Sequence, residues 1–214
     1  VRAAGVIDVG VVSLASYLVG AIPFSYLAGR VFGGIDLRRH GSGNLGASNA
    51  FRLLGGRVAV GVLVADVAKG FVPVLAAPSL APAGAVADHW LAFAAAFFAV
   101  VGHMFSVFVG FSGGKGVATT AGAFLALSPA AILVTAVIFA VVFAAKRIVS
   151  LSSITCAVLL PVVVFVLDRT GVSPSHWSVQ AVSIFIAVVI LIRHRENIRR
   201  LARGEEHVLQ RTKR

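Results

Sequence analysis

VATTAGAFLALSPAAILVTAVIFAVVFAA, residues 117–145, is the stretch on which the fold turns. Its 29 residues carry no charge. As one helix at 1.5 Å per residue it would extend roughly 43 Å, well beyond a hydrocarbon core of about 30 Å. Ser128-Pro129 interrupts it, and proline lacks the N–H that a helix interior needs. The stretch is therefore either one strongly tilted span or a hairpin of a short helix, 117–127, and a longer one. The apolar runs 7–28, 57–76, 90–109, 153–167 and 179–192 read directly as spans. Charge decides the open case. A hairpin gives seven passes with the N-terminus outside and the C-terminus cytoplasmic. Arg30, Arg38, Arg39, Arg52, Arg57, Lys115, Lys146, Arg147 and the eight basic residues of 193–214 then share the cytoplasmic side, sixteen of nineteen. Arg2 and Arg169 fall outside and Lys69 within a span. A single pass would strand either the basic tail or the basic first loop on the wrong side. The expectation is an all-α integral membrane protein, a seven-helix bundle with one short helix and with Trp90 and Trp177 at the outer interface.

Composition agrees. Hydrophobic residues make up 58% and charged residues 13% of 214 positions, which excludes an ordinary soluble domain. The net charge of +11 does not imply a nucleic-acid partner, because the basic residues sit in short segments between apolar runs. The lone Cys156 excludes an intramolecular disulfide and a cysteine-based metal site, and reads as a buried structural thiol. The run 7–28 continues to Arg30 without a small-residue cleavage pattern and is read as a retained span. No internal repeat is visible, which counts against a transporter built from inverted halves. The chain reads as one membrane-embedded domain over 1–214, with 193–214 a basic cytoplasmic tail.

Three polar motifs fall on the cytoplasmic side. The first is Gly41-Ser42-Gly43-Asn44-Leu45-Gly46-Ala47-Ser48-Asn49, followed by Arg52. Its glycines allow close backbone approach, and its Ser, Asn and Arg side chains supply donors to a phosphate. Gly41 to Gly46 matches G-x-G-x-x-G, but no strand precedes it, so a dinucleotide site is rejected. The plain alternative is a connector in which Ser48 or Asn49 caps the next helix. The second motif, Gly113-Gly114-Lys115-Gly116, lacks the Ser or Thr that a P-loop needs after its lysine. A glycine turn carrying a lysine at a helix N-terminus is nevertheless an anion site. Nearby His103, taken alone, reads as a hydrogen-bonded interfacial histidine. The third motif is His194-Arg195-Glu196-Asn197-Ile198-Arg199-Arg200-Leu201. His194 and Asn197 are three apart and read as sharing a helix face, while Arg195, Arg199 and Arg203 read as contacts to anionic membrane lipids. Asp66 and Lys69, three apart within a span, read as an ion pair facing the bundle, with a role in the site as the alternative.

Together, GSGNLGASN with Arg52, GHMFSVFVGFSGGKGVAT over 102–119 and HRENIRRL from His194 resemble the three signature blocks of the bacterial acyl-phosphate-dependent glycerol-3-phosphate acyltransferases, the PlsY type. Ser48 stands where that family usually has threonine and keeps the hydroxyl. The resemblance implies a seven-helix fold in the bacterial cytoplasmic membrane. It also implies transfer of a fatty acyl group from acyl phosphate to the 1-hydroxyl of glycerol 3-phosphate, releasing lysophosphatidate and phosphate without cofactor or metal. The catalytic expectation is Ser42, Lys115, His194 and Asn197. The substrate-binding expectation adds Gly43, Asn44, Gly46, Ser48, Asn49, Arg52, His103, Gly113, Gly114, Gly116, Thr119 and Arg200 to those four. Arg52 and Lys115 are expected to hold phosphate charge, with His194 and Asn197 near the acceptor. A transporter for an organic phosphate is the alternative. It would need access from both faces, whereas these motifs collect on one. The His-x4-Asp acyltransferase pattern is absent after all six histidines.

Overall fold

The computed structural model describes residues 3–209. Arg2, Arg211, Lys213 and Arg214, counted above for charge, lie outside the described residues. Every regular element among the described residues is helical, apart from an isolated bridge between Ser106 and Ser112. The helices form two compact units, one running to Leu127 and one beginning at Ser128.

The first unit contains α1 (Ala3–Ala21), α2 (Phe24–Gly33), α3 (Ala47–Leu54), α4 (Gly56–Ala76), α5 (Asp88–Met104) and α6 (Val117–Leu127). The span expected over 7–28 is not continuous: Pro23 breaks it, because proline has no N–H to give the helical ladder and biases its predecessor away from helical angles. The span expected over 90–109 ends early as well. α5 stops at Met104, and Phe105 (φ −130°, ψ 63°) leads into a loop with a short 3₁₀ turn at Val107–Val109. Helices in lipid gain little from hydrophobic burial against one another, so they associate through close packing at small residues. α1 packs on α5 and α4 on α6 in this way. A Cβ at Gly102 would strike the Tyr17 carbonyl, and one at Gly122 the Val67 carbonyl. Asp8, on which the sequence reading was silent, is fully buried in α1 and accepts the N–H groups of Ala83 and Ala85, each at 2.7 Å.

The second unit contains α7 (Pro129–Lys146), α8 (Val149–Arg169), α9 (Trp177–Arg193) and α10 (Arg195–Ala202). The deciding stretch is thus divided at Ser128, with Pro129 as the first residue of α7, where a missing N–H costs nothing. Leu133, Val137 and Val141 form an i, i+4, i+8 stripe on α7 and are 69%, 63% and 62% exposed, the apolar surface that lipid accepts and water does not. Cys156 is half-buried rather than buried, and its Sγ–H donates to the Thr135 carbonyl at 3.2 Å. α9 and α10 meet at His194 with a bend of 61°.

Residues 3–33 taken together, α4, α7 and α8 are long and apolar enough to cross a bilayer. The molecule is a multi-pass, all-α membrane protein.

Candidate active site

The first motif is a loop shaped from inside. Leu37 and Leu45 are buried in a small apolar cluster with Ala50, Val62 and Val109, which anchors both ends of the loop. Asp36 caps the 3₁₀ turn Leu37–Arg39 by accepting the Arg38 N–H at 3.0 Å, and the Arg38 guanidinium closes on the same carboxylate at 2.6 Å. These hydrogen bonds from Arg38 hold the Asp36 carboxyl well below the usual carboxylate range. The other arm of Arg38 donates to the Val109 carbonyl at 3.0 Å, tying this loop to the one after α5.

Asn49, expected against substrate, spends its amide on the loop. Its Oδ1 accepts the Ser42 N–H at 3.0 Å, and its Nδ2 donates to the carbonyls of Leu37 and His40, each at 3.1 Å. Neither Ser48 nor Asn49 caps α3; Gly46 does, in an extended conformation. Ser42 and Gly43 are exposed, while Asn44, Gly46 and Ser48 are half-buried. Arg52 stands exposed in the last turn of α3, with no ion pair among the described residues.

The second motif meets the first. Gly114 donates its N–H to the His103 carbonyl at 3.1 Å, and a Cβ on Gly114 would collide with His103 Nε2 and the Leu45 carbonyl. Only glycine fits where loop, histidine ring and turn converge. Gly113 is equally confined by the carbonyls of His103 and Met104. Gly116 takes φ 86°, a left-handed conformation that favours glycine. Lys115 is half-buried between these glycines, at the start of α6. Thr119, expected to touch substrate, is fully buried in the first turn of α6, where α6 closes on Gly70 of α4.

A narrow cleft, with a volume of about 10 Å³ open to a water-sized group, runs along this junction. Leu45, His103, Gly113 and Gly114 line it, and so do Asp66 and Lys69 from α4. Lys69 Nζ lies 2.8 Å from Asp66 Oδ1, the pair read from the sequence, and both side chains are buried. Asp66 Oδ1 in turn lies 3.6 Å from His103 Nδ1. Ser25 and Ser106 also line the cleft. Single serines in apolar surroundings leave no sequence signal, whereas two charges inside a span do.

The third motif belongs to the second unit. His194 is not within a helix but at the corner between α9 and α10, buried, with Nδ1 2.9 Å from the Ile190 carbonyl. A carbonyl only accepts, so Nδ1 carries the hydrogen in this contact. Asn197 is buried in α10, and its Nδ2 donates to Glu206 at 3.0 Å. Arg200, expected at the substrate, donates to the same carboxylate at 2.8 Å. Burial pushes the Glu206 carboxyl up, but the hydrogen bonds from Arg200 and Asn197 outweigh it and hold the group below its ordinary range. The Leu209 N–H closes this corner on the Arg147 carbonyl at 2.8 Å. Glu196, by contrast, is exposed and pairs with Arg199 at 2.7 Å.

The class is a multi-pass helical membrane protein in which two glycine-rich turns meet beside a buried Asp66–Lys69 pair. Residues 10–204 match the family model described as glycerol-3-phosphate acyltransferase, and the chain belongs to that family. The glycerol-3-phosphate acyltransferase of Geobacter sulfurreducens is 40% identical over 197 residues, covering 92% of this chain and 95% of the relative. That of Anaeromyxobacter dehalogenans is 46% identical over 193 residues, covering 90% and 92%. The crystal structure of PlsY (YgiH), an integral membrane glycerol 3-phosphate acyltransferase, in its glycerol 3-phosphate form superposes with a TM-score of 0.84 at 38% identity, covering 94% of this chain and 96% of that one. Its lysophosphatidic acid form gives 0.82 at 37% identity, covering 94% and 95%.

Proposed function

We propose that the chain transfers a fatty acyl group from acyl phosphate to the 1-hydroxyl of glycerol 3-phosphate, for phospholipid synthesis at the cytoplasmic face of a bacterial inner membrane. The observation that carries the reading is the meeting of the first two motifs at Leu45 and Gly114. It brings residues some 70 positions apart into one corner, with Arg52 and Lys115 on the same unit. Family membership supports the acyl-transfer chemistry.

In the proposed step, the acceptor's hydroxyl oxygen bonds to the acyl carbonyl carbon, and the bond from that carbon to the phosphate oxygen breaks. The departing phosphate keeps the electron pair and takes the hydroxyl proton. Arg52 and Lys115 balance phosphate charge, Ser42 and Asn44 add hydrogen bonds, and His194 and Asn197 hold the acceptor. An acyl phosphate is already activated, so positioning and charge neutralisation supply most of the acceleration. No protein carboxylate is needed as a base. Asp36 is engaged by Arg38 and Glu206 by Arg200, which fits that route.

The test supplies purified protein with acyl phosphate or acyl-CoA and labelled glycerol 3-phosphate. Lysophosphatidate is expected from acyl phosphate, and silence with both donors would sink the reading. The proton route has its own test in His194→Ala. A raised glycerol 3-phosphate requirement at near-normal turnover supports phosphate as the proton acceptor. A large turnover loss, with disappearance of a pH–rate limb near about 6 to 7, would make His194 Nε2 the base instead. The proposed seven-pass topology, N-terminus outside and C-terminus inside, predicts reporter fusions after Gly10 and Arg214 in opposite compartments.

A further inference from the structure

The break at Pro23 takes the carbonyls of Ala21 and Ile22 out of the helical ladder, where an unmet carbonyl is costly, and gives Ile22 a turn hydrogen bond from the Phe24 N–H at 3.1 Å instead. Distant side chains meet them. Ser106 Oγ donates to the Ala21 carbonyl at 2.5 Å, and Lys69 Nζ donates to the Ile22 carbonyl at 2.8 Å. Lys69 is itself fixed by Asp66 at 2.8 Å. The same Asp66 oxygen faces His103 Nδ1 at 3.6 Å, longer than a hydrogen bond but close enough for charge to orient the ring. The far side of that ring, Nε2, lies against Gly114 so closely that no Cβ could stand there, and Gly114 is tied to the His103 carbonyl as well. An unbroken chain of contacts thus runs from the α1–α2 break through α4 to the glycine turn beside Lys115.

We propose that Asp66 and Lys69 are positioning residues for the reaction: they brace the Pro23 break against His103 and thereby set the place of the Gly113–Gly116 turn and of Lys115. The proposal rests on the reading above that Lys115 serves the reaction. Asp66 and Lys69 do not themselves hold substrate. Three features separate this from an ion pair that merely holds helices together. Both charges line the cleft, Lys69 donates to a carbonyl of the break, and Asp66 faces the His103 ring, which lies against the turn.

The experiment uses the full chain in nanodiscs and compares wild type, Asp66→Asn/Lys69→Met and Lys115→Ala. Removing both charges avoids stranding either one, so folding should survive. The expected result is a double variant with near wild-type melting that reproduces the loss seen in Lys115→Ala, in the same kinetic parameter and for the same substrate, by about tenfold or more. Amide hydrogen exchange at Gly113–Gly116 should quicken while the middle of α5 stays protected. Wild-type kinetics, or a loss in a different parameter, would overturn the brace, as would unchanged exchange at the turn. Faster exchange with a fully active Lys115→Ala would uphold the contact chain but overturn its link to the reaction, and would count against the parent site assignment and not against the fold. Should the double variant not be recovered, Asp66→Glu keeps both charges and displaces the carboxylate by one methylene, and the same pair of readouts decides.

Discussion

Two cations of the first unit, Lys69 and Arg52, carry the same charge and are placed in opposite ways. Lys69 is buried, with a carboxylate and a backbone carbonyl each at 2.8 Å. Arg52 is exposed at the end of α3 with no ion pair among the described residues. A buried cation held by two groups of the protein has its work inside the fold; an exposed cation beside a glycine-rich loop is left for a ligand. The difference should appear as a split between stability and activity.

The largest effect is expected where the buried pair is half removed. Lys69→Met leaves Asp66 as an uncompensated charge and the Ile22 carbonyl with the Phe24 N–H but without the ammonium. The cost should be about 3–5 kcal/mol, read as a collapse in yield and melting temperature. Asp66→Asn/Lys69→Met should recover most of that stability, though not the position of the glycine turn. A Lys69→Met protein as stable as wild type would break the comparison at its buried end.

Arg52→Ala should do the reverse. A charge-assisted contact to phosphate contributes about 1.5–3 kcal/mol, so activity should fall roughly ten- to more than a hundredfold. Melting should hardly move, because exposed cations add little to stability. Normal activity would remove Arg52 from the site, and a large melting shift would show a partner inside the fold.

Gly114→Ala sharpens the contrast at the junction itself. The added methyl meets the His103 ring and the Leu45 carbonyl, and overpacking of this kind typically costs about 1–3 kcal/mol. The expected outcome is a modest fall in melting temperature with a disproportionate fall in activity. A variant that matches wild type in both would show that the corner is loose.

How much of this was legible in the sequence follows from the same physics. Charges inside an apolar run are conspicuous, so Asp66 and Lys69 could be paired by spacing alone, and the Ser128-Pro129 break could be read because proline acts locally. Pro23 acts by the same rule, yet the run around it is short enough for one span, so nothing in the composition demanded a break there. The partners of Asn49 and Glu206 were hidden for a different reason. Whether an amide or carboxylate faces a ligand or its own backbone depends on partners many positions away: Ser42, Leu37 and His40 for Asn49, and Arg200 and Asn197 for Glu206. The His103–Gly114–Leu45 junction was likewise invisible, since each member looks ordinary until the loops are folded together.

The smallest expected effect concerns the other charge pair of the first unit, and it tests whether partial exposure makes a pair weak. The Arg38 side chain is 33% exposed and that of Asp36 8%, against 3% and 2% for Lys69 and Asp66. Hydrogen bonds from Arg38 depress the Asp36 carboxyl below its ordinary value, so in the folded protein it stays ionised to lower pH than in the unfolded chain. A group shifted in that direction stabilises the fold fully above its unfolded pKa of about 3.9, and loses that contribution as pH falls through the lower folded value. Asp36→Asn removes the charge at every pH. The melting difference between wild type and Asp36→Asn should therefore be small but constant from pH 7 down to about 4 and shrink below that. Thermal unfolding in detergent across that range measures it. A difference that widens on acidification would reverse the sign and mean that the Asp36 carboxyl is destabilised in the folded loop, and no difference at pH 7 would reduce the pair to an idle surface contact, leaving Asn49 and the two buried leucines to shape the first motif.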